Sequence, residues 1–409
     1  MQSNSNLTNV IIERIKANPQ QRITFAEYMD MALYHPESGY YSTQALNLGK
    51  SGDFFTSVHL GADFGEMLAV QFAQIWQILG KPTPFTLVEM GAGQGHLAKD
   101  ILNYLQQKHE DLFTGLEYII VEKSASLRKL QQQSLDNFRE KIKQELNQEL
   151  NHNVKLRWCN LEEIEDSSVV GCFFSNELVD AFPVHQVILS AGKLKEIYIG
   201  LPEKSHIPDA KDSPDFVEII DEPSTLKLSE YFRLDEIDIS NYPDQYRSEV
   251  NLAAIDWLTL LSKKLQRGYI LTIDYGYPAI RYYNPRRNQG TLQCYYQHKR
   301  HDNPYILVGQ QDITTHVDFT ALERWGECCG LDKVGFTQQA LFLMSLGLGE
   351  RISSLSESKL PLLEMLRRRD SLHQLLDPLG VGGFGVLVQS KGLSIAEAAE
   401  SLTGFVIPE

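Results

Sequence analysis

Leu87–Leu102 reads LVEMGAGQGHLAKDIL, and its parsing decides the fold. An apolar run leads into a glycine turn, and an apolar-periodic stretch follows. That is the order strand, loop, helix start of a cofactor cradle. The glycines are Gly91, Gly93 and Gly95, spaced G-x-G-x-G. The dinucleotide fingerprint is spaced G-x-G-x-x-G. Glu89 lies inside the strand, two residues before the first glycine.

Working outward, apolar runs alternate with helical periodicity. FGEMLAVQFAQIWQIL (64–79) is an amphipathic helix ending at Gly80 and Pro82. Strand 85–90 precedes helix 96–109, strand 117–122 precedes helix 125–149, and strand 154–159 leads to strand 169–175. This rhythm predicts crossover connections and a parallel sheet with helices on both faces. From Val184 to about Pro223 the period shortens to that of hairpins, one turning at Ala191-Gly192. Helical pattern returns at 225–234 and 245–266, and RGYILTIDYGY (267–277) is again a buried strand. The stretch 278–312 reads as a long irregular loop, helix 318–330 follows, and strands near 333–338 and 383–391 complete the sheet. Residues 7–34 carry helical periodicity. The expected class is α/β and Rossmann-like, divided into an N-terminal helical lid (1–80), a first half-domain (81–183), a β-rich insertion (184–244), a second half-domain (245–391) and a tail read as an appendage (392–409).

The 409 residues exceed what one core usually serves. Lys plus Arg number 38 and Asp plus Glu 53, a formal charge of −15. Nucleic-acid binders carry a basic footprint, so DNA and RNA are excluded as expected partners. No apolar run approaches the ~20 residues that cross a bilayer, so membrane insertion is not expected. The first residues lack the zones of a signal peptide. Five scattered cysteines without a C-x-x-C pair argue against a zinc site and for a reducing compartment. The expected location is cytoplasmic, and no metal is expected.

In an open parallel sheet, ligands sit beyond the carboxyl ends of the strands. The first strand delivers Glu89 and the glycine loop, the second Glu122, the third Cys159-Asn160, the fourth Ser175-Asn176-Glu177, and the fifth Asp274-Tyr275-Gly276. The loop has no Lys and no Ser/Thr pair for phosphate and Mg²⁺. S-adenosylmethionine carries a ribose, an adenine, a sulfonium and an amino-acid moiety, but no phosphate. Glu89 suits its ammonium, the helix N-terminus its carboxylate, Glu122 the ribose hydroxyls, and Asn160 the adenine edge. Asn176, Glu177 and Asp180 crowd the end of a core strand. There a carboxylate can hold a guanidinium bidentately, or simply act as a helix N-terminal acid. Arg286, Arg287, Lys299 and Arg300 lie in 286–304, placed either to meet an acidic substrate segment or to be solvated.

SGDFFTS (51–57), FGEML (64–68), LVEMGAGQG (87–95), SNELVDAFPV (175–184), IDYGY (273–277), GTLQCYYQHKRHDNP (290–304), GQQDITTHVDFTAL (309–322) and FLMSLGLGER (342–351) together resemble the MidA-like methyltransferases. That family includes a mitochondrial arginine methyltransferase assisting assembly of respiratory complex I. The resemblance implies a class I methyltransferase fold, with a seven-stranded sheet whose last strand is antiparallel. It implies S-adenosylmethionine as donor, S-adenosylhomocysteine as product and a protein arginine as acceptor, including a complex I-type subunit. It further implies that Gly52, Asp53 and Thr56 fold over the cofactor and that Asn176 and Glu177 face the acceptor, with Asp274 beside them. One departure stands out: Val58-His59 occupies the place where related sequences commonly carry Pro-Glu. Two other functions remain open at this point, a non-catalytic assembly factor that keeps the fold and a nicotinamide oxidoreductase. A homodimer formed through the insertion is a further expectation.

Overall fold

The computed structural model describes residues 4–43, 56–145, 155–202, 216–297, 299–357 and 360–406. The chain forms two compact units. One comprises 54–178, 258–275 and 326–409; the other comprises 1–53, 179–257 and 276–325.

The first unit is built on seven strands: β1 Phe85–Met90, β2 Leu116–Val121, β3 Lys155–Cys159, β4 Val169–Asn176, β5 Leu265–Asp274, β6 Asp332–Gln338 and β7 Gly385–Lys391. Their order is β3-β2-β1-β4-β5-β7-β6. The pairs among β3, β2, β1, β4 and β5 are parallel. β7 is antiparallel to both β5 and β6. Every residue of β1 is buried, as a strand covered on both faces requires. Helix Asp63–Ile78 brings Phe64, Leu68, Phe72 and Ile75 into the core that Leu87, Ile120 and Phe174 share. The order reverses at β1 and β4, and the glycine loop leaves β1 at that point.

The last segment is not an appendage. Leu402 is buried in the core, Phe405 packs edge-on against Phe342, and the Gly404 and Thr403 amides donate to Gln71 and Gln74 at 3.0 and 2.8 Å. Its apolar residues are too few to show a period, which is why sequence pattern alone misplaces it.

The main sheet of the second unit is antiparallel. Strand Lys193–Gly200 pairs with His185–Ser190, with Arg22–Thr24 and with Val217–Asp221, and His185–Ser190 pairs with Arg247–Val250. The helical stretch expected over 7–34 is two helices, Ser5–Ala17 and Phe25–Tyr34, separated by a turn and a short strand. Asn18-Pro19 ends the first helix, and the Thr24 hydroxyl caps the second by accepting from the Glu27 amide at 3.1 Å. The stretch 278–312 is also more ordered than its composition suggests. It holds helix Ala279–Tyr282 and two strands, Gln293–Tyr296 and Lys299–His301, that form a sheet with Asp312–Thr314.

Candidate functional site

The candidate site lies in the first unit, at the carboxyl ends of β1, β2, β4 and β5. Gly91, Gly93 and Gly95 have φ of +69°, +53° and +80°, a region where only glycine is at ease. The Gly91 amide donates to the Val121 carbonyl at 3.0 Å, tying the loop to β2. Helix His96–Lys108 starts immediately after Gly95. A Cβ built on Gly93 meets nothing within 4 Å. The space beside it is therefore closed to no protein atom, and the bare backbone is presented outward.

Two buried acids flank this loop. Glu89 accepts from the Tyr118 hydroxyl at 2.7 Å. Burial pushes its pKa up to about 8, and the neighbouring Glu122 adds to the rise. Burial also raises Glu122, against the opposing effect of the donors that it collects. Those donors are the Ser124 amide at 2.9 Å and Gln131 Nε2 at 3.0 Å. Gln131 is the hub that sequence reasoning missed. Its Nε2 also donates to the Gly93 carbonyl at 2.8 Å, and its Oε1 accepts from Trp158 Nε1 at 3.1 Å. Arg128 extends the network by donating to the Glu122 carbonyl at 2.7 Å and to Asn160 Oδ1 at 3.1 Å. The glycine loop, Glu122 and Asn160 are thus parts of one hydrogen-bonded cluster, and Glu89 is the charged neighbour of Glu122 beside it. Gln131 stands four residues from buried Leu127 and four from buried Leu135, so it falls on the buried stripe of its helix, and a polar residue at such a position is the signal that could have found it.

The second cluster begins where β4 ends. Glu177 has φ +52°, a conformation that costs a non-glycine residue roughly 1–3 kcal/mol. It is held there from β5. The Glu177 amide donates to the Ile273 carbonyl at 2.9 Å, and the Leu178 amide donates to Asp274 Oδ2 at 3.1 Å. Asp274, fully buried, also accepts from the Tyr275 amide at 2.8 Å. Asp274 therefore braces the turn that carries Glu177. Glu177 Oε1 accepts from Asn176 Nδ2 at 3.1 Å and from the Ser57 amide at 3.3 Å. Glu177 is not the first-turn acid of a long helix; the next helical element is the short turn Val179–Ala181. The two clusters meet at Gly91, where a Cβ would fall 2.7 Å from Leu178 Cδ1.

Thr56 opens the segment that reaches Glu177. His59 turns its Nδ1 to the Thr56 hydroxyl at 2.9 Å. The His59 ring also lies 5.9 Å from that of His96, the first residue of the cradle helix. Gly52 and Asp53 lie outside the described residues.

The donor set fits S-adenosylmethionine. Acids stand at two adjacent strand ends, unblocked glycine backbone faces outward, and the loop has no cation for a phosphate. Among the described residues no cluster of three metal-ligating side chains occurs, and no helix is long and apolar enough to cross a membrane.

Residues 67–337 match the model of a family described as S-adenosyl-L-methionine-dependent methyltransferases. The chain belongs to this family, and its fold and cofactor are those of a class I methyltransferase. Among solved structures it is similar to a Burkholderia thailandensis protein bound to S-adenosyl-homocysteine. That similarity has 27% identity and a TM-score of 0.81, covering 98% of this chain and 94% of that one. A native structure from the same organism gives 29% identity and a TM-score of 0.79 over the same shares. Among curated relatives it is similar to "Protein arginine methyltransferase NDUFAF7 homolog, mitochondrial" of Drosophila melanogaster, 29% identical over 88% of this chain and 79% of the relative. The Homo sapiens NDUFAF7 is 28% identical over 81% of this chain and 72% of the relative. These names correct the cytoplasmic expectation, because both relatives are mitochondrial proteins. Scattered cysteines and the composition of the first residues report on redox conditions and secretion, and neither separates one reducing compartment from another.

Proposed function

We propose that this methyltransferase modifies arginine side chains of a partner protein. The observation that carries the reading is Glu177, a carboxylate fixed in a strained backbone conformation at the end of a central strand and touching the glycine loop through Leu178. Strain of this kind gathers at functional sites. The names of the curated relatives support arginine as the acceptor.

In this reading Glu89, Gly91, Gly93, Gly95, Glu122 and Asn160 hold the cofactor, and the MidA-like resemblance adds Gly52, Asp53 and Thr56 to that set. When bound, S-adenosylmethionine supplies an electrophilic methyl group on its sulfonium. Glu177 orients the acceptor guanidinium, whose pKa above ~12 keeps it cationic before the transfer, and its carboxylate would take the proton that the nitrogen must release as it gains the methyl group. Asn176 fixes the carboxylate by donating to Oε1. Asp274 acts as a positioning residue through the backbone of Leu178. Rate enhancement comes mainly from alignment and proximity. We extend the proposal to a subunit of a complex I-type respiratory enzyme as acceptor, on the strength of the MidA-like resemblance.

The test uses S-adenosylmethionine with a deuterated methyl group and an extract of cells lacking the protein. Mass spectrometry is expected to find label on arginine with the wild type. With Glu177→Gln, label should fall by about a hundredfold or more while S-adenosylhomocysteine binding persists. Label on lysine or carboxyl groups instead of arginine, or full activity of the variant, overturns the reading.

A further inference from the structure

The second unit carries a group of cations that the site described above does not use. Tyr277 pairs with Asp318 in a short parallel ladder. Its ring stacks on His316, with centroids 5.0 Å apart and planes inclined by 16°. Two guanidiniums lie over the same ring, Arg281 at 4.3 Å and Arg287 at 4.7 Å from its centroid. Arg287 Nη1 also donates to the carbonyls of Arg281 and Tyr282, both at 3.1 Å, so its guanidinium is fixed. Arg300 belongs to the same neighbourhood. With Arg287 and Arg281 it repels a proton from His316, whose pKa burial and these cations together lower to about 4. Arg286 and Lys299 are exposed on the flanking segments.

Among the described residues these cations stand without counter-charges. Elsewhere in the same unit Arg22 pairs with Asp221, Arg247 with Glu218 and Arg324 with Glu236. Among the described residues no carboxylate lies within ion-pair distance of Arg281, Arg286, Arg287, Lys299 or Arg300. In a chain of net charge −15, a basic group with two of its guanidiniums held by ring stacking is a surface suited to an anion. Guanidiniums stacked on an aromatic ring keep their edges free for bidentate contact with carboxylates.

We infer that Arg281 and Arg287, braced on Tyr277, together with the nearby Arg300 and flanked by Arg286 and Lys299, form a docking surface for an acidic segment of the protein that receives the methyl group. The inference rests on the protein-methyltransferase reading for that partner's role, while the anion-binding surface itself does not. Nucleic acid is disfavoured for two reasons. The overall charge repels a long polyanion, and the Tyr277 ring is already covered by His316 and two guanidiniums, leaving no open face for a base.

The test is fluorescence anisotropy on the full chain at low ionic strength, where surface charge acts most strongly. The probes are a labelled peptide of six glutamates followed by Gly-Arg-Gly and its counterpart with six glutamines. An oligothymidylate serves as competitor. The wild type is expected to bind the glutamate peptide about tenfold more tightly than the glutamine peptide. Added salt is expected to erase the difference. Arg281→Gln with Arg300→Gln is expected to remove most of the preference, and Arg281→Glu with Arg300→Glu to reverse it. Both variants should melt at the wild-type temperature and bind S-adenosylhomocysteine normally. Equal affinity for the two peptides overturns the proposal, as does a preference that survives in both variants. Oligothymidylate displacing the peptide at lower concentration than glutamate peptide does would assign the surface to nucleic acid instead. Failure of S-adenosylhomocysteine to bind the wild type would strike the methyltransferase reading and leave the peptide result standing.

Discussion

Glu89 with Glu122 in one unit and Asp235 with Asp318 in the other are both buried acidic pairs, and burial raises all four acids. Their surroundings differ. Glu89 and Glu122 stand at the ends of adjacent parallel strands beside a glycine loop, and Tyr118, Gln131 and the Ser124 amide donate to them. Asp235 follows helix Lys227–Leu234, and Asp318 caps helix Phe319–Cys328 by accepting from the Thr320 and Ala321 amides at 3.1 and 3.2 Å. Tyr231, Tyr282 and Tyr283 enclose that pair. Asp235 is driven up to about 10, first by burial and then by Asp318. Neither Asp235 oxygen nor Asp318 Oδ2 has a donor among the described residues, which a proton shared between the two carboxyls resolves. A raised pKa therefore marks burial. What marks a cofactor site is an acid at a strand end facing open backbone.

The largest effect expected from this contrast is on cofactor binding. Glu122→Gln removes an acceptor for ribose hydroxyls and should cost roughly 1–3 kcal/mol, a loss of about 5- to 150-fold in S-adenosylhomocysteine affinity by calorimetry. Asp235→Asn should leave that affinity unchanged. Equal losses in the two variants would erase the distinction between the pairs.

A smaller effect is expected from pH. Glu89, with its pKa near 8, holds a proton at neutrality, and an ammonium placed beside it favours the carboxylate. Binding should then release a proton, and affinity should rise by up to about tenfold per pH unit between pH 6 and 8. Glu89→Gln should flatten that slope. Calorimetry in two buffers of different ionisation enthalpy counts the proton directly, and a count of zero contradicts the assignment.

The smallest effect concerns stability. Between the ordinary aspartate value and about 10, folded Asp235 keeps a proton that the unfolded chain has released. Stability therefore falls as pH rises through that window. Asp235→Asn supplies a permanent donor to Asp318, so from pH 6 to pH 9 its melting temperature should fall less than the wild type's, by roughly 2–4 °C. Parallel melting curves would show that the pair shares no proton.

The first unit was readable because its strands are continuous apolar runs separated by helical periods, and because glycine, Glu89 and Glu122 fall at fixed places around them. The second unit was harder to read. Its short strands within 278–312 carry Tyr, Gln, Lys and Arg in place of an apolar alternation, and their order comes from pairing across the sequence. Long-range contacts also explain what was missed inside the site. Tyr118 matters for what it touches, and nothing in its local spacing announces it, whereas Gln131 interrupts the apolar stripe of Leu127 and Leu135 and is legible there. Glu177 was legible as an acid at a strand end, but its left-handed backbone was not, because no glycine or asparagine marks the position.

The central claim is that the glycine loop between Glu89 and Glu122 holds the methyl donor, and titration of S-adenosylhomocysteine into wild type and Gly93→Val tests it most directly. At Gly93 the protein leaves room for a side chain, while the left-handed backbone costs a valine roughly 1–2 kcal/mol. The variant should therefore fold and still lose at least about tenfold in affinity, because the added methyl groups stand where the ligand approaches. A folded Gly93→Val that binds as tightly as the wild type would contradict the account.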